Sequence, residues 1–159
     1  MLRQSPRRWL RTFSFLGLAL LAACTYRQPM SDLRPVGDFT VEVWASTNCI
    51  LPDETVTVRA IVTNVGSQTQ IIDLRDQVVF DLIITDQNGE HHWSEGKPLT
   101  PDLTRLELKP GQSKTLEMQW VVQPLTSMLV VTAQFIDNPA VPGGPVKAQV
   151  EVPSLCPGY

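Results

Sequence analysis

The sequence predicts an immunoglobulin-like antiparallel β-sandwich of seven to nine strands, occupying residues 38–159. Three observations carry that prediction. From Asp38 onward apolar residues recur at every second position in short runs, with no sustained 3.6-residue period. Turn-forming clusters punctuate the runs at fairly even spacing. The chain also holds 13 prolines and 9 glycines in 159 residues, a proportion that suits a loop-rich all-β fold better than a helical one. A small β-barrel is the alternative architecture.

Residues 1–23 read as a targeting segment and stand outside the fold. MLRQSPRRWLR is a basic flank, and TFSFLGLALLAA is an apolar run of 12 residues. A bilayer-spanning helix takes about 20 apolar residues, so the run suits a signal-peptide core instead. Leu21-Ala22-Ala23-Cys24 resembles the bacterial lipobox, in which the cysteine is lipidated and becomes the first mature residue. The alternative for Cys24 is a structural cysteine following a cleaved secretory signal. Arg7-Arg8 is only loosely similar to a twin-arginine signal, and general export fits the flank better. The expected location is therefore extracytoplasmic, anchored to the cell membrane of a bacterial envelope by an N-terminal lipid.

Charge is distributed to match. Four of the thirteen basic residues, Arg3, Arg7, Arg8 and Arg11, lie in 1–23 without an acid, leaving nine bases against sixteen acids, a net of −7, on the remainder. That balance argues against nucleic acid or anionic lipid as the main partner of the folded part. Residues 24–37, the lipidated cysteine and then TYRQPMSDLRPVG, show no periodicity and contain Pro29, Pro35 and Gly37; they read as a flexible tether.

The strands follow in order. Phe39, Val41, Val43 and Ala45 alternate with polar positions, and so do Val56, Val58, Ala60 and Val62. A short run covers Gln70 to Leu74. Val78, Phe80, Leu82 and Ile84 are expected on one face of the next strand. Asn88-Gly89 then signals a two-residue type I′ hairpin, facing Gln87 with Glu90, Asp86 with His91 and Ile84 with Trp93. Leu106 and Leu108 come next, then Leu116, Met118, Trp120 and Val122. Leu129, Val131, Ala133 and Phe135 precede a last strand with Val146, Ala148, Val150 and Val152. Turns are expected at Leu51-Pro52-Asp53, Asn64-Val65-Gly66, Lys109-Pro110-Gly111, and from Asn138-Pro139 through Pro145.

Of three cysteines, two remain after Cys24. Cys49 follows the first predicted strand and Cys156 the last. In a sandwich whose first and last strands run side by side both fall at one end, and export makes a bridge possible. A bridge closing about 100 residues is worth about 4.7 kcal/mol on the chain-entropy account. Two free thiols are the alternative.

Several elements appear in a recognisable order: VTVRAIVTNVGS ending in Asn64-x-Gly66, then Phe80-Asp81-Leu82, Asp86-x-x-Gly89, Trp93-Ser94, and Leu108-Lys109-Pro110-Gly111-Gln112-Ser113 leading to Trp120. From about Glu54 to Val122 the chain resembles the BsuPI-type intracellular proteinase inhibitor domain. That family often places an aromatic two residues before the tryptophan, where this chain has His91. Asn64-x-Gly66 and Pro110-Gly111-x-Ser113 are also similar to the CARDB-type adhesion domain, which does not usually carry the Phe-Asp-Leu to Trp-Ser hairpin. The first resemblance implies an immunoglobulin-like fold related to a serine-protease inhibitor that works in the cytoplasm, whereas this chain reads as exported. The matched residues themselves have structural chemistry. Asn64 suits backbone capping at a turn, Gly66 and Gly111 suit positive φ, and Trp93 and Trp120 suit a core.

Catalytic and metal signatures are not expected. Neighbouring strand residues point to opposite faces, so His91 and His92 cannot share a metal without a bulge. The sequence contains no Gly-x-Ser-x-Gly, His-Glu-x-x-His, Cys-x-x-Cys or phosphate-binding glycine loop. Asp73, Asp76 and Asp81 read as solvated surface. No enzyme activity, cofactor or metal is expected. Binding remains: SEGKPLTPDLT, Ser94 to Thr104, reads as an exposed loop stiffened by Pro98 and Pro101, with Leu99 and Leu103 as anchors. Its centre, Lys97, Pro98, Leu99, Thr100 and Pro101, is the candidate partner contact; Ile136 to Pro145 is a second candidate loop. The expected partners are the bilayer, through the lipid, and an exported protease or other envelope protein. The expected function is protein binding by a membrane-anchored lipoprotein, inhibiting or regulating a serine protease. The alternative is a non-inhibitory interaction, adhesion or envelope-assembly module.

Overall fold

A computed structural model describes residues 27–138, 141 and 147–156. The leader, Cys24, Val146 and most of the Pro139–Pro145 turn region lie outside the described residues. Those described form ten strands and one helical turn: β1 (Met30–Val36), β2 (Phe39–Ala45), β3 (Thr55–Asn64), β4 (Gln70–Asp73), β5 (Phe80–Asp86), β6 (Gly89–His92), α1 (Pro101–Thr104), β7 (Arg105–Leu108), β8 (Ser113–Val121), β9 (Met128–Phe135) and β10 (Lys147–Pro153). One sheet is ordered β1-β2-β3-β8 and faces a second ordered β10-β9-β5-β6; β4 and β7 form a separate two-stranded ladder. Every pairing is antiparallel. The predicted all-β sandwich is the fold. Among the described residues no helix is long and apolar enough to cross a membrane.

Period-two alternation builds the core as expected. Phe39, Val41 and Val43 of β2, Val56, Val58 and Val62 of β3, and Leu129, Val131 and Phe135 of β9 are all buried between the sheets. Phe135 is the aromatic centre, with ring centroids 5.4 Å from Phe39 and 5.3 Å from Phe80, both tilted. On the outer face of the first sheet, Trp44, Arg59 and Glu117 stand opposite one another across β2, β3 and β8. The Arg59 guanidinium lies 4.9 Å from the Trp44 ring centroid and 2.6 Å from the Glu117 carboxylate. The two sheets are closed at their edges by side chains. Asp32 of β1 accepts the N–H of Gln149 on β10 (3.1 Å), and His91 of β6 packs on Trp120 of β8 (4.4 Å).

Four expectations are corrected. Residues Met30–Val36, read as tether, form the edge strand β1, the tenth strand; only Val36 of the seven is fully buried, so the strand leaves no apolar alternation to read. Pro35 is tolerated because an edge strand can leave one side unpaired. Val78 lies outside β5 and lines the outer face with Ile83, while Val79 is buried in its place. The break comes before Phe80: the Val79 N–H is bonded to the Leu103 carbonyl and its carbonyl to the Ile136 N–H, outside the β5 ladder. Gly66 does not adopt positive φ. A Cβ there would sit 2.9 Å from both Cβ and Cγ of Asp38, so close approach, not dihedral freedom, calls for glycine. Gly111, at φ 75°, does meet its expectation.

The fourth correction is the hairpin register. Asp86 pairs with Gly89, Ile84 with His91 and Ile83 with His92, two positions away from the expected pairing. Neither Gln87 nor Asn88 has positive φ; Gly89 alone does, at 126°, so the turn is not type I′. The cause is local. The Asp86 carboxylate accepts the Asn88 N–H at 2.7 Å, an Asx turn that moves the bend one residue earlier than Asn88-Gly89. A slip of two preserves side-chain parity, so His91 and Trp93 still face inward and His92 outward.

Candidate functional site

The residues shared with the resemblance gather at two locks. Asn64, 0% exposed, ends β3. Its Nδ2 donates to the carbonyls of Gln68 (2.7 Å) and Leu108 (2.8 Å), and its Oδ1 accepts the Gly66 N–H at 2.9 Å. The Asn64 backbone bonds to Gln112 and Gly111, so one side chain and its own peptide hold the β3–β4 turn against the β7–β8 turn. The buried Leu108 carbonyl would otherwise lose this donor.

The second lock is centred on Asp81, which the sequence presented as a surface carboxylate. Its Oδ1 accepts the N–H of Ser94 (3.2 Å), and its Oδ2 accepts the Ser94 hydroxyl (2.7 Å) and stands 3.0 Å from Nδ1 of His92. His92 Nε2 lies 3.7 Å from Glu90. Sequence patterning missed this group because Asp81, His92 and Ser94 come from both sides of the hairpin and meet only after the strands pair. Asp-Leu followed by Trp-Ser is the signal that could have found it.

Ser94, His92 and Asp81 are the residue types of a hydrolytic relay, but their order here is different. Such a relay has serine hydrogen-bonded to histidine and histidine to aspartate. Here the carboxylate is central and takes the serine hydrogen directly, so it fastens the chain after β6 to β5. His91 is on the opposite face, its Nε2 3.4 Å from Asp86 Oδ1 and its ring against Trp120. Among the described residues no group of three or more His, Cys, Asp or Glu side chains is arranged to hold a metal.

The loop leaving this lock is the expected contact segment. Lys97, Pro98, Leu99, Thr100 and Pro101 are all exposed, with Leu99 at 55%. Its end coils into α1. Pro101 sits in the first turn, and the N–H groups of Leu103 and Thr104 bond to the Thr100 carbonyl. Leu103, expected as a partner anchor, is only 6% exposed and its carbonyl receives the Val79 N–H. At the other end, Lys97 places Nζ 3.0 Å over the Trp93 ring. Partial burial lowers the Lys97 pKa from its ordinary value, and the Asp81 charge opposes that shift. Leu99 and Pro101 border an open hollow of about 420 Å³ with Asp73, Arg75, Thr104 and Arg105. Farther along, Lys114 Nζ donates to the Asp102 carbonyl, tying α1 to β8; burial lowers its pKa against the pull of Asp102.

The remaining predicted residues are placed as follows. Cys49 and Cys156 are bonded, with Cα atoms 5.2 Å apart, and the Ile50 N–H reaches the Pro153 carbonyl beside them. The strands leading to them are not hydrogen-bonded neighbours: β2 and β10 lie in opposite sheets, so the bond staples one sheet to the other. Of the second candidate loop, only Ile136, Asp137, Asn138 and Val141 are described. Cys24 is not.

A family model described as BsuPI, intracellular proteinase inhibitor, matches residues 43–135, more than half of the chain. No curated protein matches it. The matched span reaches beyond the Glu54–Val122 resemblance at both ends, taking in the last three residues of β2 and all of β9, and it contains the Asn64 and Asp81 locks and the loop between Ser94 and α1. On that span the chain belongs to the BsuPI family of intracellular proteinase inhibitor domains.

Proposed function

We propose that this protein is a lipid-anchored, extracytoplasmic member of its family that binds and restrains a serine protease through the exposed segment Lys97–Pro101. One observation carries the reading: Leu99 is presented on a short segment held at both ends. The Asp81–Ser94 bonds and the Lys97–Trp93 contact hold its start, and Leu103 in the interior holds its end. A pre-ordered loop loses little conformational freedom on entering a protease cleft. Two prolines in five residues stiffen it further. The lipid anchor is supported by the basic flank, the apolar core and Leu21-Ala22-Ala23-Cys24. The bonded Cys49–Cys156 pair accords with an oxidising compartment.

The test uses the full chain in detergent against a panel of serine proteases. Dose-dependent inhibition is expected, and it disappears when Lys97–Pro101 is replaced by glycine and serine while the unfolding midpoint stays in place. Absence of inhibition at micromolar protein removes the reading for the proteases assayed. Labelled palmitate incorporated by the wild type but not by Cys24→Ser, with loss of the variant from the membrane fraction, tests the anchor separately.

A further inference from the structure

The end of the sandwich carrying the Cys49–Cys156 bond gathers the β2–β3 connection, the β8–β9 connection and the segment after β10. Asp53 N–H bonds to the Val122 carbonyl, Ile50 N–H to Pro153 and Ser154 N–H to Ser127. The N-terminal end of the described chain arrives here too. Arg27 pairs with Glu54, and its guanidinium lies 3.8 Å from Cys156 Sγ.

The two most exposed large apolar side chains among the described residues sit at this end, Leu125 at 94% and Leu155 at 84%, with Val121 and Met128 beside them. Residues 121–128 and 152–156 contain no charged residue, although the chain beyond residue 23 is acidic. Leu125 also has φ 106°, where glycine is favoured and a branched side chain is strained. Neither solvent exposure nor backbone strain gives the fold a reason for leucine at this position. Only three peptide links separate Arg27 from Cys24, a reach of at most about 11 Å for an extended chain.

We infer that this end of the domain is a lipid-contact face, with Leu125 and Leu155 entering the interfacial region of the bilayer that holds Cys24. The inference rests on the proposed lipidation of Cys24. A short tether holds this end against the surface, where the exposed apolar area of its two charge-free segments leaves water. Its charged residues lie on the incoming chain (Arg27), the β2–β3 connection (Asp53, Glu54) and the hairpin tip (Asp86, Glu90). β5 and β6 then orient the rest. The 87–88 turn lies at the membrane end because Thr85 pairs with Val130 near the start of β9, and β6 leads away from it toward Ser94. Lys97–Pro101 consequently projects away from the bilayer, open to a partner.

The test takes the full chain, purified with its lipid, in vesicles of phosphatidylethanolamine and phosphatidylglycerol. Nitroxides are placed through Leu125→Cys and Met128→Cys, with Leu99→Cys as the distal reference. The ratio of oxygen to nickel-chelate collision rates is expected to be several-fold higher at 125 and 128 than at 99. In the same samples, the mass of the N-terminal peptide reports lipid on Cys24. Equal ratios at all three sites in lipid-bearing protein overturn the contact face and leave anchoring intact; a Cys24 without lipid overturns both. Leu125→Gly provides a second arm that does not depend on the label at 125. It is expected to raise the thermal midpoint while lowering the ratio at 128 toward that at 99. An unchanged ratio at 128 removes Leu125 as an inserting side chain.

Discussion

The Asp81 carboxylate receives both the hydroxyl and the backbone N–H of Ser94, at 2.7 and 3.2 Å. Together these bonds tie two family motifs, Phe80-Asp81-Leu82 and Trp93-Ser94, into one unit. With the Asp81 side chain 13% exposed, they are charge-assisted and partly shielded. Asp81→Ala is expected to cost about 2–3 kcal/mol and Ser94→Ala about 1 kcal/mol. The double variant should lose less than the sum, because one interaction is removed twice. Urea unfolding of the three variants measures this, and strict additivity would show that the two residues act independently.

Asn64 bonds to three backbone groups with one side chain, so replacing it strands them. Asn64→Ala is expected to destabilise by about 2–3 kcal/mol, since the buried carbonyl of Leu108 and the part-buried carbonyl of Gln68 lose their donor. Asn64→Asp should be at least as costly, because it brings a carboxylate oxygen against two carbonyl oxygens. Denaturant midpoints check both, and an aspartate variant milder than alanine would contradict the donor assignment.

Gly66 and Gly89 separate two reasons for glycine. Gly66→Ala forces a Cβ to 2.9 Å from Asp38 and is expected to cost about 1–3 kcal/mol by overpacking. Combining it with Asp38→Gly, which removes the Cβ and Cγ it meets, should recover part of that loss. Gly89→Ala meets nothing within 4 Å but sits at φ 126°, so its cost of about 1 kcal/mol comes from backbone strain and has no steric partner to rescue it.

Asp32 predicts a pH dependence. Burial raises its pKa, but the Arg34 hydrogen bond, the Gln149 N–H, the Arg34 charge and the Leu33 N–H outweigh that and hold it below the ordinary value of 3.8. A carboxyl depressed on folding stabilises fully above its unfolded pKa and loses that contribution as pH falls through the folded value. The stability gap between wild type and Asp32→Asn should therefore hold steady above pH 3.8 and close below it. Thermal unfolding across that range measures it; a gap that widens on acidification would reverse the sign assigned to Asp32.

Much of the architecture was legible in the residues. Period-two alternation marked seven of the ten strands, a short apolar run marked β4 and the hairpin turn marked β6. The alternation placed Phe39, Leu82, Val131 and Phe135 in the interior, because burial on one face of a pleated strand imposes that period. Side-chain parity separated His91 from His92 for the same reason. The positions of Cys49 and Cys156 just beyond two strand ends led to the bond, although the strands before them lie in opposite sheets and not side by side in one. The tertiary structure decided what depends on groups distant in sequence, or on the backbone alone. β1 was hidden because its stabilisation is main-chain pairing with β2, which leaves no apolar pattern. The hairpin register depended on the Asp86 carboxylate capturing the Asn88 N–H, a competition that residue types do not resolve. Asp81 looked like any surface acid until β5 and β6 paired and brought His92 and Ser94 to it. The pairing of two charge-free segments that carry Leu125 and Leu155 exists only because stretches some 30 residues apart meet at one end of the sandwich. Local pattern specifies which face a residue takes; long-range pairing specifies which residues share it.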